Sequence, residues 1–453
     1  MTPARRRAAE AGAIAALLAA EGVLFARNLH TRPNYDEGVY LASLDALRHG
    51  ETLGSEIFAS QPPGFYLILR VIGLFSGHSL TDARIGFLLV ALIGCAAAYA
   101  LGRAIAGVMG GLAAAGLVAI LSPFPSQAML VDADVPAVSF SLVALALTAW
   151  STRRRSVWLA ALAGAAFAFA VSVKLDALIA VVPLAALLIS AKASRRLVLA
   201  IGAGAAVVTA AYIVAYAGVL GSLWESVVTF HRQARAFPSP VPNAHVVGHF
   251  LDFSTPSAWL VVLGLVAGVL AWRRTWPLWL WPIAAALFLL WQRPLFDHHL
   301  VLLCAALGAA AGTSIGRLPP VLVAAVVAAI AVGGLQQFHR IGLNVVGEPP
   351  ELRWGVEQLR RCPEPVASDQ PIVPFQARRR VPGQLVDTSL VRLATLSLPP
   401  EKVLRIIDQE HVQAVFASRG FEQPEILAGL AERFGPPRRT ESARVYLGRA
   451  CAD

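Results

Sequence analysis

The chain is short of charge. Asp, Glu, Lys and Arg make up 15% of its 453 residues while hydrophobic side chains make up 57%, against the roughly 25% charge of an ordinary soluble domain. A soluble enzyme is thereby excluded. Lysine is nearly missing, Lys174, Lys192 and Lys402 being the only ones, so arginine supplies almost all the basic charge behind the net +10. Abundant alanine and arginine with so little lysine points to a GC-rich bacterial genome. The arginines fall in short clusters between apolar runs and form no extended basic stripe, which excludes a nucleic-acid partner. No glycine-rich loop of the kind that cradles a nucleotide phosphate is present, and no internal repeat. Ionisable groups inside the apolar runs are scarce, with Glu21 and, at a junction, Lys174 and Asp176. A transporter or flippase would place such groups on several helices.

What remains is hydrocarbon. A mean hydropathy of +0.62 comes from apolar runs at 10–27, 83–104, 107–123, 135–150, 157–173, 176–191, 197–217, 257–272, 276–291, 298–314 and 318–337. The expected protein is therefore mainly α, polytopic, with about eleven transmembrane helices. Arg5 to Arg7, Arg103, Arg153 to Arg155, Lys192 with Arg195 and Arg196, Arg273 with Arg274, and Arg317 all fall on one side of that arrangement. The positive-inside rule makes that side cytoplasmic, together with the N-terminus. Arg5 to Arg7 and the alanine-rich run after them also resemble a cleaved secretory signal, but a chain of further spans favours a retained anchor. The outer side then receives a loop at 28–82 with amphipathic helices, the Asp132 and Asp134 turn, Lys174 to Asp176, a loop at 218–256 containing His231, Arg235 and His245, the Arg293 to His299 segment, and the C-terminal tail.

The chain divides by composition into a membrane part, 1–337, and a polar part, 338–453, expected to be a small α/β domain outside the membrane. Strands are expected at Pro365 to Ser368, Gln384 to Val386 and Val412 to Phe416, and helices at Glu351 to Arg361 and Pro400 to Glu410. Cys362 and Cys451 lie at the two ends of this domain. An oxidising exterior would let them close it as a disulfide, and two free thiols are the alternative. Cys95 and Cys304 sit in apolar runs as small filler.

Chemistry concentrates on the outer face. Asp36 and Glu37 stand in Asn34-Tyr35-Asp36-Glu37-Gly38-Val39-Tyr40, next to the first apolar run, where a carboxylate is costly unless a cation, a hydrogen bond or a reaction uses it. They could also cap the amphipathic helix that follows. Gln61-Pro62-Pro63-Gly64-Phe65-Tyr66 ends one element and starts another. Asp132 and Asp134 precede Pro136, a helix-start proline, and are either supporting acids or plain loop charges. Lys174 can be a lysine reaching for lipid headgroups. His298 and His299 are not a metal pair, because neighbours on a helix point about 100° apart.

Taken together these segments resemble the GT-C superfamily of integral-membrane glycosyltransferases. Within it they resemble glycosyltransferase family 39, the PMT-like group of protein O-mannosyltransferases and lipid A aminoarabinose transferases. The matching marks are Tyr35-Asp36-Glu37 after the first span, Gln61-Pro62-Pro63 in the first outer loop, Asp132 and Asp134 before a span, Lys174-Leu175-Asp176, and His298-His299-Leu300. Gln61 departs from the lysine common before that Pro-Pro pair. The resemblance implies inverting transfer of a sugar, hexose or pentose, from a polyprenyl-phosphate donor to a hydroxyl of a protein, lipid or glycan acceptor. The setting it implies is the outer face of a bacterial inner membrane, among membrane lipids. Asp36 would be the general base with Glu37 beside it. Lys174 and Arg293, then Arg70 and Arg84, would hold the donor phosphate, while Tyr35, Tyr40, Gln61, Tyr66, His298 and His299 would contact substrate. No cofactor is required by this scheme, although a divalent cation is compatible with it. A non-catalytic scaffold working through its C-terminal domain is the remaining alternative.

Overall fold

The computed structural model describes residues 2–239, 241–248, 256–343, 348–395 and 397–451. The chain packs as two units, one of Met1–Leu29, Arg84–Ala215 and Ser239–Val345, the other of His30–Ala83, Tyr216–Pro238 and Val346–Asp453.

The first unit is helical throughout, and every apolar run expected to span coincides with helix over most of its length. Among the described residues, seven helices are long and apolar enough to cross a membrane. Two of these each contain two of the expected runs. Leu80–Ile120 breaks at Gly107, whose φ of 81° is open to glycine at no steric cost. In Pro256–Trp291, Gly268 lies against the Trp279 ring. A straight helix would set those residues about 16 Å apart along its axis, so the path bends back between them, where Pro277 withholds a backbone hydrogen bond. The run at 176–191 opens as a 3-10 turn, Leu175–Ala180, before becoming α-helix, because Lys174 is extended at φ −153°.

Small residues set the helix spacing. Gly308, Gly312 and Gly316 face Val118, Ala114 and Gly110 in turn, an antiparallel contact in which any side chain would strike backbone. Many side chains left exposed on these helices are large and apolar, Trp158, Val207, Val269 and Val321 among them, as a lipid-facing surface requires. Polar groups are sorted to the helix ends. The helix Asp134–Arg154 carries an acid in its first turn and arginines in its last, about 30 Å apart. Around its basic end, Arg103, Arg153 and Arg154 gather over the Trp150 ring, Arg103 pairs with Glu10, and Arg153 and Arg317 donate to the carbonyls of Ala104 and Ile105.

The second unit joins the first polar loop to the C-terminal region. Helix Tyr35–Arg48 presses Gly38 against the backbone of Ile372, Glu51 pairs with Arg380 at 2.8 Å and accepts the Gly383 N–H at 2.9 Å, and the Gln384 amide donates to the carbonyls of Ser55 and Glu56. Arg392 lies 3.6 Å over the Phe58 ring and donates to the Gln384 and Asp387 carbonyls. Burial pushes its guanidinium down to about 10, so it stays charged at neutral pH.

The sheet is small: β1 Val366–Ser368, β2 Ala414–Ala417, β3 Arg438–Arg439 and β4 Arg444–Leu447, in the order β1-β2-β4-β3. β1 and β2 are parallel, and β4 runs antiparallel to both β2 and β3. The strand expected at Gln384 to Val386 is not one. Pro382 starts a 3-10 turn over Gly383–Leu385, with the Leu385 N–H bonded to the Pro382 carbonyl, and the segment pairs with the Glu51 to Phe58 loop instead of a sheet. Cys362 and Cys451 are joined as a disulfide, Cα atoms 4.2 Å apart, and Cys95 and Cys304 are free and buried.

Candidate active site

The sequence-expected residues divide between the two units, and each group has its own geometry. In the second unit the Asn34-x-x-Glu37 spacing forms a capping box. The Glu37 N–H donates to Asn34 Oδ1 at 2.8 Å, and the Asn34 N–H donates back to the Glu37 carboxylate at 3.1 Å. Glu37 is completely buried. Its carboxylate therefore fixes where the helix starts. Asp36, one residue earlier, is half-buried in the first turn, where the helix dipole favours negative charge.

The neighbours of this turn come from far away in sequence. The Tyr35 hydroxyl lies 3.4 Å from both Asp387 Oδ1 and Thr388 Oγ1, with the Arg419 guanidinium 5.2 Å over its ring. Burial, then the Asp387 charge, hold that hydroxyl well above its usual range, so it stays protonated. Asp387, Thr388 and Arg419 escape sequence reasoning altogether. The Gln61 amide donates to the Tyr40 hydroxyl at 3.1 Å, and Tyr40 meets Phe65 edge-on at 4.5 Å. Those contacts fasten the Pro62-Pro63 turn to the Asp36 helix. Tyr66 is buried beside Phe65, and Arg70 is exposed on the helix Pro63–Ser76.

In the first unit the acids and the lysine form a buried cluster. Lys174 Nζ lies 2.6 Å from Asp134 Oδ1 and 3.9 Å from Asp176 Oδ2. Asp132 Oδ1 accepts the N–H groups of Ala133 and Asp134 at the start of the next helix. One oxygen each of Asp132 and Asp134 is buried without a partner among the described residues. Carboxylates so placed are donors a hard divalent cation could use, with Lys174 competing for the same charge.

Lys174 is taken up by its acidic neighbours before it could serve a phosphate. Arg84 is likewise engaged: it is buried and donates to the carbonyls of Asn28 and Leu29 at 3.3 and 2.9 Å, closing the end of the helix Pro3–Ala26. Arg293 is exposed. His299 Nδ1 lies 3.2 Å from the Gln292 amide and accepts the Phe296 N–H at 3.3 Å, while His298 stacks on Phe296 at 5.7 Å between centroids. His299 thus braces its loop.

Residues 60–218 match the family model for dolichyl-phosphate-mannose-protein mannosyltransferase. A comparison with curated protein sequences gave no match. Solved structures match over more than nine-tenths of the chain. ArnT from Cupriavidus metallidurans in the apo state superposes with a TM-score of 0.72 at 16% identity, over 96% of this chain and 98% of that one. The same protein bound to undecaprenyl phosphate gives 0.70 at 16%, over 97% and 98%. The oligosaccharyltransferase AglB from Archaeoglobus fulgidus, in complex with an inhibitory peptide and a dolichol-phosphate, gives 0.54 at 12%, over 92% and 71%. The chain therefore shares its fold with ArnT and, more loosely, with AglB. Its described residues include seven helices long and apolar enough to cross a membrane.

Proposed function

We propose that this protein moves a sugar from a polyprenyl-phosphate donor to an acceptor hydroxyl on the outer side of a bacterial inner membrane, with inversion. The observation that carries the reading is the place of Asp36: a carboxylate in the first turn of a helix whose start is locked by Asn34 and Glu37. Support for the donor comes from the relatives, since ArnT has been solved with undecaprenyl phosphate and AglB with dolichol-phosphate and a peptide.

The acceptor O–H attacks the anomeric carbon while its proton passes to Asp36. The bond from that carbon to the phosphate oxygen breaks, and polyprenyl phosphate leaves with the electron pair. The departing charge needs a cation. Arg293 and Arg70, both exposed, are the groups we assign to it. Lys174, held by Asp134 and Asp176, offsets one of the charges of the acidic cluster, and Arg84 is structural. Glu37 positions Asp36.

The basic ends of the helices would lie in the cytoplasm with the N-terminus, and the acidic ends and the 338–453 region outside. An exterior location agrees with the Cys362–Cys451 bond. The test is product analysis. Purified protein given polyprenyl-phosphate sugar and acceptors extracted from bacterial envelope should yield a glycoside of inverted anomeric configuration by NMR, and a retained configuration would contradict the mechanism. Mass spectrometry of envelope glycans from cells with and without the protein would name sugar and acceptor.

A further inference from the structure

The turn that carries Arg419 is built around a buried carboxylate. Asp369 is fully buried just after β1, and it accepts the N–H groups of Ser418, Arg419 and Phe421 at 3.0, 2.6 and 2.9 Å. Those charge-assisted bonds fix the chain where it leaves β2. β1 and β2 are parallel neighbours, and open α/β sheets place ligands outside the carboxyl ends of such strands. Thr388 joins the same edge, its hydroxyl donating to the Ser368 carbonyl at 3.1 Å. Through Thr388 and Asp387 the edge also receives the Tyr35 hydroxyl. All of these residues belong to the second unit.

Arg419 itself is exposed, with its guanidinium 5.2 Å over the Tyr35 ring. Among the described residues, no carboxylate pairs with that side chain. A guanidinium held over a ring keeps its N–H fork open, and the fork matches the two oxygens of a phosphate or carboxylate. The neighbouring base decides which substrate supplies them. Tyr35 directly precedes Asp36, so Arg419 stands on the side of the proposed base. In an inverting displacement the attacking oxygen and the leaving group lie on opposite faces of the sugar ring. A cation beside the base therefore serves the acceptor and not the departing phosphate.

We infer that Arg419, set over Tyr35, binds an anionic group of the acceptor, a phosphate or carboxylate close to the hydroxyl that reacts. The inference rests on the reading that Asp36 is the base of an inverting transfer. A neutral hydroxyl compound would forgo this contact.

The experiment is equilibrium binding to the full-length protein in phosphatidylcholine nanodiscs, read by saturation-transfer NMR without turnover. The probes are glycerol 3-phosphate and glucuronate, each compared with its neutral counterpart, glycerol or glucose. The wild type should bind at least one anionic probe about tenfold more tightly than its counterpart, the worth of a hydrogen bond to a charged group. Arg419→Gln should remove most of that preference, Arg419→Lys should retain part of it, and binding of short-chain polyprenyl phosphate should be unchanged in both. Arg419 is exposed, so both variants should keep the wild-type Tm. Tyr35→Leu, which deletes the ring, should weaken the same preference. Three results overturn the assignment: no anionic probe preferred by the wild type, a preference that survives Arg419→Gln, or weakened polyprenyl phosphate binding in Arg419→Gln, which would put the residue on the donor. A protein that binds the anionic probes through Arg419 yet transfers no sugar would refute the proposed function and leave the contact standing. Sugar transfer with an acceptor KM unmoved by Arg419→Gln would do the reverse.

Discussion

Replacing Lys174 by methionine keeps a side chain of similar reach and deletes its charge. Nζ is 2.6 Å from the buried Asp134 and 3.9 Å from the half-buried Asp176. At an effective dielectric of about 20, those separations correspond to roughly 6 and 4 kcal/mol of gross attraction. Most of that is offset by the desolvation of the ions. The measurable quantity is the cost of leaving carboxylates buried without their cation, about 3–5 kcal/mol. In a domain of a few hundred residues that is on the order of 10 °C in Tm. Thermal unfolding of the purified full-length protein in one detergent, followed by tryptophan fluorescence, measures it. Lys174→Met should lose that stability, and the double variant Lys174→Met with Asp134→Asn should regain a large part of it, since the nearer of the two uncompensated charges is gone. A Tm within about 2 °C of wild type, accompanied by weakened donor binding, would refute the reasoning and return Lys174 to the donor phosphate.

Two further outcomes test the second unit. Glu37→Gln keeps an acceptor but loses the charge of the capping box, so it should cost about 0.5–2 kcal/mol and lower transfer only as far as Asp36 is displaced. A stable protein with activity abolished would instead make Glu37 a reacting group. Cys362→Ser should destabilise the C-terminal region by about 2–4 kcal/mol, because the bridge closes a separation of 89 residues. Equal protease resistance of the region before and after reduction would contradict that.

Much of the helical framework was legible because about 20 apolar residues in a row have few other fates. Asn34-x-x-Glu37 also carried its own structure, since a capping box is a local pattern in which both partners lie within one turn. Partners distant in sequence were not legible. Nothing near Lys174 announces Asp134, 40 positions earlier, and nothing near Tyr35 announces Asp387, 352 positions later. Arg84 reads as an outer cation in sequence and becomes a helix cap only because the chain folds its guanidinium onto the Asn28 and Leu29 carbonyls. The Gln384 to Val386 segment has strand-like composition, yet Glu51 and the carbonyls of Ser55 and Glu56 take its polar groups.

The central claim is that Asp36 removes the acceptor's proton, and transfer of radiolabelled sugar from polyprenyl phosphate by Asp36→Asn tests it most directly. Asparagine is nearly isosteric and cannot take a proton, so the account predicts a loss of at least about a hundredfold in turnover with Tm and donor affinity unchanged. Turnover close to wild type in a folded Asp36→Asn protein would contradict it.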